Sequence, residues 1–295
     1  MTATASPHTV LADLESALGV TEPVPLVQGG QKFVLSCLRD GRPAAVKVML
    51  VTPGPEVRRV LDQALRETGI LAEVASPRVV RLLSEVAVLK FDGGLPYGVA
   101  WVEELLDGVD IDTELGPRWE PARAARLVLH LAQALSAFHR QGVVHRDLTP
   151  VNVRQTLDGC FKLMDTGLAR RLSEPERSAP GGFGTPGYWS PEHLTVGAVS
   201  PASDVFGLGI LAYQALTGVL PIDPGAAGSD FPDRLRECDV PTVESLRADL
   251  PAPLARVVDR CLRRRPEDRF ADGQALLDEL AQAPDVFHSQ PSRLH

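Results

Sequence analysis

The sequence predicts an α+β chain in two lobes: a small antiparallel sheet with one main helix, then a larger helical part. Three observations carry this. Before residue 105, short apolar runs alternate with turn formers such as Asp40-Gly41 and Asp92-Gly93-Gly94. After Asp107-Gly108, apolar residues recur at helical spacing instead. The 295 residues, 44% hydrophobic and 23% charged, suffice for one large core or two modest ones and exclude disorder.

The elements follow in order. Residues 1–21 form an extension in which Leu11, Leu14 and Leu18, ended by Gly19, predict a short helix packed on the body. Residues 22–106 form the first lobe. In it Phe33-Val34-Leu35 and the run Ala44 to Met49 flank Asp40-Gly41-Arg42-Pro43, which reads as a hairpin. A helix begins near Pro55, with Val57, Leu61, Ala64, Leu65 and Leu71 along it. Strands are expected at 85–91 and 99–104. The second lobe, 107–283, opens with a helix at 123–140, where Ala124, Leu127, Val128, Leu131, Leu135 and Phe138 keep a 3.6-residue period. Further helices are expected at 205–218, 254–263 and 272–282, and a polar, flexible tail at 284–295. The two lobes are expected to meet at a cleft.

Composition narrows the function. A formal net charge of −8 argues against a general nucleic-acid binder, which needs a basic surface. Cys37, Cys160, Cys238 and Cys261 lack paired ligand spacing, so reduced thiols are expected rather than a zinc site or disulfides. The start lacks a basic segment followed by an apolar run, so no secretory signal is expected. The apolar stretch 205–220 contains Gln214 and Thr217 and falls short of the roughly 20 residues of a membrane span, so it reads as a buried helix. A cytoplasmic location is the expectation. Lysine is scarce, confined to Lys32, Lys47, Lys90 and Lys162, and the Arg- and Ala-rich balance suits a GC-rich bacterial genome.

The sharpest chemical signal is His145-Arg146-Asp147-Leu148-Thr149-Pro150-Val151-Asn152, followed by Phe161-Lys162-Leu163-Met164-Asp165-Thr166-Gly167. Phosphoryl transfer from a nucleotide needs an acceptor for the attacking hydroxyl's proton and hard oxygen ligands for Mg²⁺. Asp147, Asn152 and Asp165 supply that set. Upstream, Lys47 in Ala45-Val46-Lys47-Val48 offers a compact ammonium for phosphate oxygens. The helix that follows carries Glu56, Glu67 and Glu73, of which Glu67, by its place ahead of Pro77-Arg78-Val79-Val80, is the best candidate to pair with Lys47.

These motifs resemble the eukaryotic-type (Hanks-type) serine/threonine protein kinase family, in its bacterial branch, over about residues 26–280. The resemblance implies a bilobal kinase fold using ATP and Mg²⁺, with Mn²⁺ as an alternative, on a protein substrate. It implies Asp147 as catalytic base, Asn152 and Asp165 as metal ligands, and Lys47 with Glu67 at the phosphates. It further implies that Val27, Gly29, Gly30, Val34, Ala45, Glu104 and Leu106 line the nucleotide. In Gly184-Thr185-Pro186-Gly187-Tyr188-Trp189-Ser190-Pro191-Glu192, it implies that Thr185 contacts Asp147 and that Glu192 pairs with Arg269. Asp204 is implied as the anchor of the catalytic loop.

Departures from the pattern are equally specific. In the glycine loop Val27 stands at the first position, Gly29 at the second and Lys32 at the third. Thr149 stands where these kinases carry lysine, Thr166 replaces Phe of Asp-Phe-Gly, Ser190 replaces Ala, and Arg154 takes an aliphatic position under adenine. Arg146 suggests control by phosphorylation, with Ser173 and Ser178 as candidates. The departures motivate an alternative, a pseudokinase acting as nucleotide-binding or scaffold protein; retention of Lys47, Asp147, Asn152 and Asp165 together speaks against it. A small-molecule phosphotransferase of related fold is disfavoured by the segment 184–192 and its Arg269 partner.

Overall fold

A computed structural model describes residues 7–29, 32–51, 54, 56–91, 94–174, 184–195, 198–225 and 230–287. Gly30, Pro55 and Ser178 lie outside the described residues. The chain divides into two compact units: the first is the chain up to Ala75 with Val80–Asp107, the second Ser76–Val79 with the chain from Gly108 onward.

The first unit comprises α1 (Pro7–Leu18), β1 (Val20–Gly29), β2 (Lys32–Arg39), β3 (Arg42–Leu50), α2 (Glu56–Glu73), β4 (Ala87–Lys90) and β5 (Pro96–Glu104). Its sheet runs β1-β2-β3-β5-β4 with every pairing antiparallel. The hairpin at Asp40-Gly41 forms as the sequence predicts, with both residues at positive φ. Strand side chains alternate between faces, so each face gathers its own set. One face holds Leu35, Cys37, Ala44, Val46, Val48, Ala100 and Val102, which α1 covers with Leu14 and Leu18. The other holds Met49, Val99 and Trp101, packed on Val60 and Ala64 of α2. Lys47, between Val46 and Val48, therefore lies on the α2 face.

The second unit comprises β6 (Gly108–Asp110), α3 (Pro121–Arg140), β7 (Val143–Val144), β8 (Val153–Thr156), β9 (Phe161–Leu163), β10 (Arg170–Arg171), α4 (Pro201–Thr217), α5 (Phe231–Glu237), α6 (Val243–Leu246), α7 (Ala252–Cys261), α8 (Gly273–Leu280) and α9 (Pro284–Phe287). Two small antiparallel sheets, β6-β8-β9 and β10-β7, accompany the helices. The apolar stretch at 205–220 lies largely in α4, a core helix buried along nearly its whole length. Among the described residues no helix is long and apolar enough to cross a membrane. Residues 284–287, expected to begin a flexible tail, instead form α9 because Phe287 is buried; α9 packs on α3.

Candidate active site

In the second unit, the loop from His145 to Asn152 is held from beneath by Asp204, in the first turn of α4. The buried Asp204 carboxylate accepts the backbone N–H of His145 at 2.7 Å and of Arg146 at 2.8 Å. His139 Nε2 lies 3.0 Å from the same carboxylate, and His139 Nδ1 accepts the Gly273 N–H, so the proton is on Nε2. Burial pushes the Asp204 carboxyl up, but His139 and the loop N–H groups outweigh it and hold it below the usual range. One turn along α4, a Cβ on Gly207 would stand 3.0 Å from Leu148 Cβ, so the missing side chain lets the loop seat on the helix.

Asp147 is held from above. Asn152 Nδ2 donates to the Asp147 backbone carbonyl at 2.9 Å and to its carboxylate Oδ2 at 2.8 Å. Asn152 immediately precedes β8, and its own carbonyl accepts the N–H of Met164, just past β9, at 2.8 Å. The β8–β9 hairpin, in register from Val153↔Leu163 to Gln155↔Phe161, thus brings Asp165 to the same end as Asn152. Asp165 Oδ1 accepts the Gly167 N–H at 2.9 Å. Arg146 and Asp165 take left-handed backbone conformations, φ 71° and 55°. For non-glycine residues these cost energy and cluster where geometry serves chemistry.

This donor set fits magnesium. The Asn152 amide nitrogen is committed to Asp147, leaving the amide oxygen for a cation, and Asp165 adds a carboxylate. Among the described residues no group of three or more His, Cys, Asp and Glu could cage a metal. A sparse oxygen set suits Mg²⁺, which keeps waters and takes substrate phosphates as ligands.

Around this loop, Gly184 sits against Asp147 at φ 78°, where a Cβ would be 3.6 Å from Asp147 Oδ1. Thr185 follows and is exposed. Glu192 and Arg269 form the expected buried pair, bidentate at 2.7 and 3.0 Å. All five Arg269 N–H donors are used, the others on the carbonyls of Ala202, Arg263 and Arg264. Burial raises the Glu192 carboxyl, but Arg269 and the Ser203 hydroxyl bring it below the usual range. Arg154, which takes a position the resemblance gives to an aliphatic side chain, bonds Asp110 Oδ1 and the Gly108 carbonyl across β6–β8 at 2.9 and 2.8 Å.

In the first unit, Lys47 on β3 is buried, its Nζ 3.4 Å from Glu67 Oε1 on α2. Val34 is its register partner on β2. Ala45 shares its strand face, and Val27 and Gly29 pair with Val34 and Lys32 across the β1–β2 hairpin. Glu104 is tied to Arg81 by both its N–H and its carboxylate, and Leu106 is buried. Two ion pairs were not anticipated from sequence: Lys32 with Glu67 at 3.5 Å, and Lys47 with Glu103 at 3.0 Å. For the second, sequence offered only an acid two residues after Trp101 in an expected strand, 99–104; which strand it would face was not legible.

Comparison with known proteins decides the family. The model of the protein kinase domain matches residues 25–281. The chain belongs to the protein kinase domain family. This kinase domain is 36% identical over 239 residues to the serine/threonine-protein kinase PkaA of Streptomyces coelicolor, covering 78% of this chain and 41% of that protein. It is 33% identical over 271 residues to the serine/threonine-protein kinase PknL of Mycobacterium tuberculosis, covering 87% of this chain and 65% of that one. With the serine/threonine-protein kinase PknB of the same species it shares 32% identity over 263 residues, 86% of this chain and 40% of that protein. The chain thus spans less than two thirds of the length of these relatives.

Proposed function

We propose that this kinase domain is an ATP- and Mg²⁺-dependent serine/threonine protein kinase that moves the γ-phosphate to a hydroxyl of a protein substrate. Mn²⁺ is an alternative ion. The observation that carries the reading is the double restraint on Asp147. Asn152 holds its carboxylate and carbonyl, while Asp204 holds the N–H groups of the two residues before it. A carboxylate fixed in this way is preorganised to orient the attacking hydroxyl and take its proton. Asn152 and Asp165 hold the metal ion. A bound Mg²⁺ would supply positive charge against the phosphate oxygens. Lys47 pairs with the non-transferred phosphates, its ammonium kept in place by buried carboxylates. Gly184 beside Asp147, with Thr185 following, supports serine or threonine as the acceptor, as does similarity to serine/threonine-protein kinases. A supply of ATP and four unpaired cysteines favour the cytoplasm.

The test is incubation with labelled ATP, Mg²⁺ and a generic acceptor protein. Wild type should label protein, and Asp147→Asn should lower the rate by about 10²-fold or more. Labelling that is absent, that survives Asp147→Asn unchanged, or that goes only to a small molecule would overturn the reading.

A further inference from the structure

Lys47 sits in a buried row of alternating charge: Lys32, Glu67, Lys47, Glu103. The side chains of Lys47, Glu67 and Glu103 are 9%, 1% and 4% exposed, and Lys32 is 31% exposed. The contacts along the row are unequal. Glu67 Oε1 is shared, lying 3.5 Å from Lys32 Nζ and 3.4 Å from Lys47 Nζ. Glu103 Oε1 lies closer to Lys47, at 3.0 Å. The same oxygen accepts the indole N–H of fully buried Trp101 at 2.8 Å, which fixes the carboxylate.

The two acids also differ in what carries them. Strands β3 and β5 are paired in the registers Lys47↔Trp101 and Ala45↔Glu103. Glu103 is therefore the diagonal neighbour of Lys47 on one face of one sheet, the arrangement in which cross-strand pairs interact. Backbone hydrogen bonds of the ladder set that separation. Glu67 rides on α2, which is held by packing against the sheet rather than by the strand ladder. Lys32, on β2, provides Glu67 with a second cation.

We infer that Glu103 is the principal positioning residue for Lys47 in the phosphoryl transfer proposed above, with Glu67 auxiliary. The lysine is anchored within its own sheet, and the carboxylate on α2 is divided between two cations. Displacing α2 then leaves Lys47 in place. Glu103 does not touch the reacting atoms; it acts through the ammonium. This rests on the kinase reading, because it is the nucleotide's phosphates that Lys47 is positioned to meet.

The experiment compares Glu103→Gln, Glu67→Gln and the double variant in steady-state kinase assays, with the ATP·Mg²⁺-induced rise in Tm as a readout independent of turnover. In Glu103→Gln the amide oxygen can still accept the Trp101 N–H, so the unliganded Tm should stay near wild type. Glu103→Gln should lower kcat/KM for ATP by about tenfold or more, chiefly through KM, and Glu67→Gln by about threefold. The double variant should lose more than the product of the two, since each acid partly covers for the other. A larger effect from Glu67→Gln, or wild-type constants in Glu103→Gln, overturns the inference. A lowered unliganded Tm with KM unmoved would show a merely structural role and overturns it too. If Glu103→Gln does not fold, Trp101→Phe, which frees the carboxylate, must raise KM for ATP; an unchanged KM overturns the inference. Should wild type bind ATP·Mg²⁺ without transferring phosphate, the kinase reading fails. A Tm rise then lost in Glu103→Gln and kept in Glu67→Gln still sustains the assignment. A wild type that shows no Tm rise with ATP·Mg²⁺ overturns both.

Discussion

Thr149 illustrates how a residue can differ from what family resemblance implies and still be informative. It stands in the loop between Asp147 and Asn152, at a position where a lysine is implied. Its side chain is buried, 2% exposed, and among the described residues its hydroxyl has no hydrogen-bond partner. An orphaned buried hydroxyl costs about 1–3 kcal/mol, so a structural purpose does not explain it. Replacement by lysine would put a long charged side chain at a position only 2% exposed. Thr149→Val keeps the shape. It should raise stability in urea by about 1 kcal/mol by removing the unpaired group. If the hydroxyl meets substrate, kcat should fall severalfold, and unchanged kcat would limit Thr149 to a filler. Thr166, where Phe is implied, is buried too, and its carbonyl accepts the Ala169 N–H at 3.0 Å, closing a turn after Asp165. It gives up apolar burial worth about 1–3 kcal/mol relative to the aromatic.

At the scale of elements, α1 is part of a core rather than an appendage. Leu14 is fully buried against the sheet face opposite Lys47, Leu18 nearly so, and Val10 and Leu11 pack at the margin. Tyr97 on β5 donates its hydroxyl to Asp13, and burial raises the Tyr97 pKa, with Asp13 adding to the effect. The helix covers strand side chains that would otherwise face water. Leu14→Ala should therefore destabilise the protein by about 2–5 kcal/mol, seen as a lower denaturant midpoint. An unchanged midpoint would mean α1 is not part of the cooperative fold. The second unit uses another device. Glu192, in the short turn Pro191–Leu194, is tied to Arg269 and to Ser203 at the start of α4, so three segments distant in sequence share one saturated polar cluster.

For the whole molecule, acid stability follows from two buried histidines in the second unit. Burial lowers His130 and His193 to about 4 from the ordinary 6.5. His130 Nδ1 accepts the Phe161 N–H at 3.0 Å, and His193 Nδ1 accepts the Ser190 N–H at 3.1 Å. Both folded-state pKa values are depressed, so between about pH 6.5 and 4 the unfolded chain binds more protons than the folded one. Stability is then complete above pH 6.5 and declines as pH falls, approaching about 1.4 kcal/mol per pH unit for each histidine well inside the window. Urea unfolding at pH 7.5 and pH 5 checks this. Equal stabilities would show that neither histidine is held neutral. Asp204 and Glu192, both depressed, add losses only at lower pH.

Local sequence determined much of this protein. The run from His145 to Asn152 with Asp165 after it marked Asp147, Asn152 and Asp165 as candidates without a fold, because their residue types and spacing lie within a short window, and the scarcity of lysine singled out Lys47. Apolar periodicity located α3, α4, α7 and α8 and the β2–β3 hairpin, since period and turn residues are properties of a short window. The short helices α5 and α6 and strand β8 lacked a window long enough to show a period. Tertiary structure alone decided the pairings: Glu103 beside Lys47, Lys32 beside Glu67, and Arg154 on Asp110. A charge states that it needs a partner, but which one it finds depends on strand register and helix placement, and these are set by burying apolar faces rather than by the charge itself.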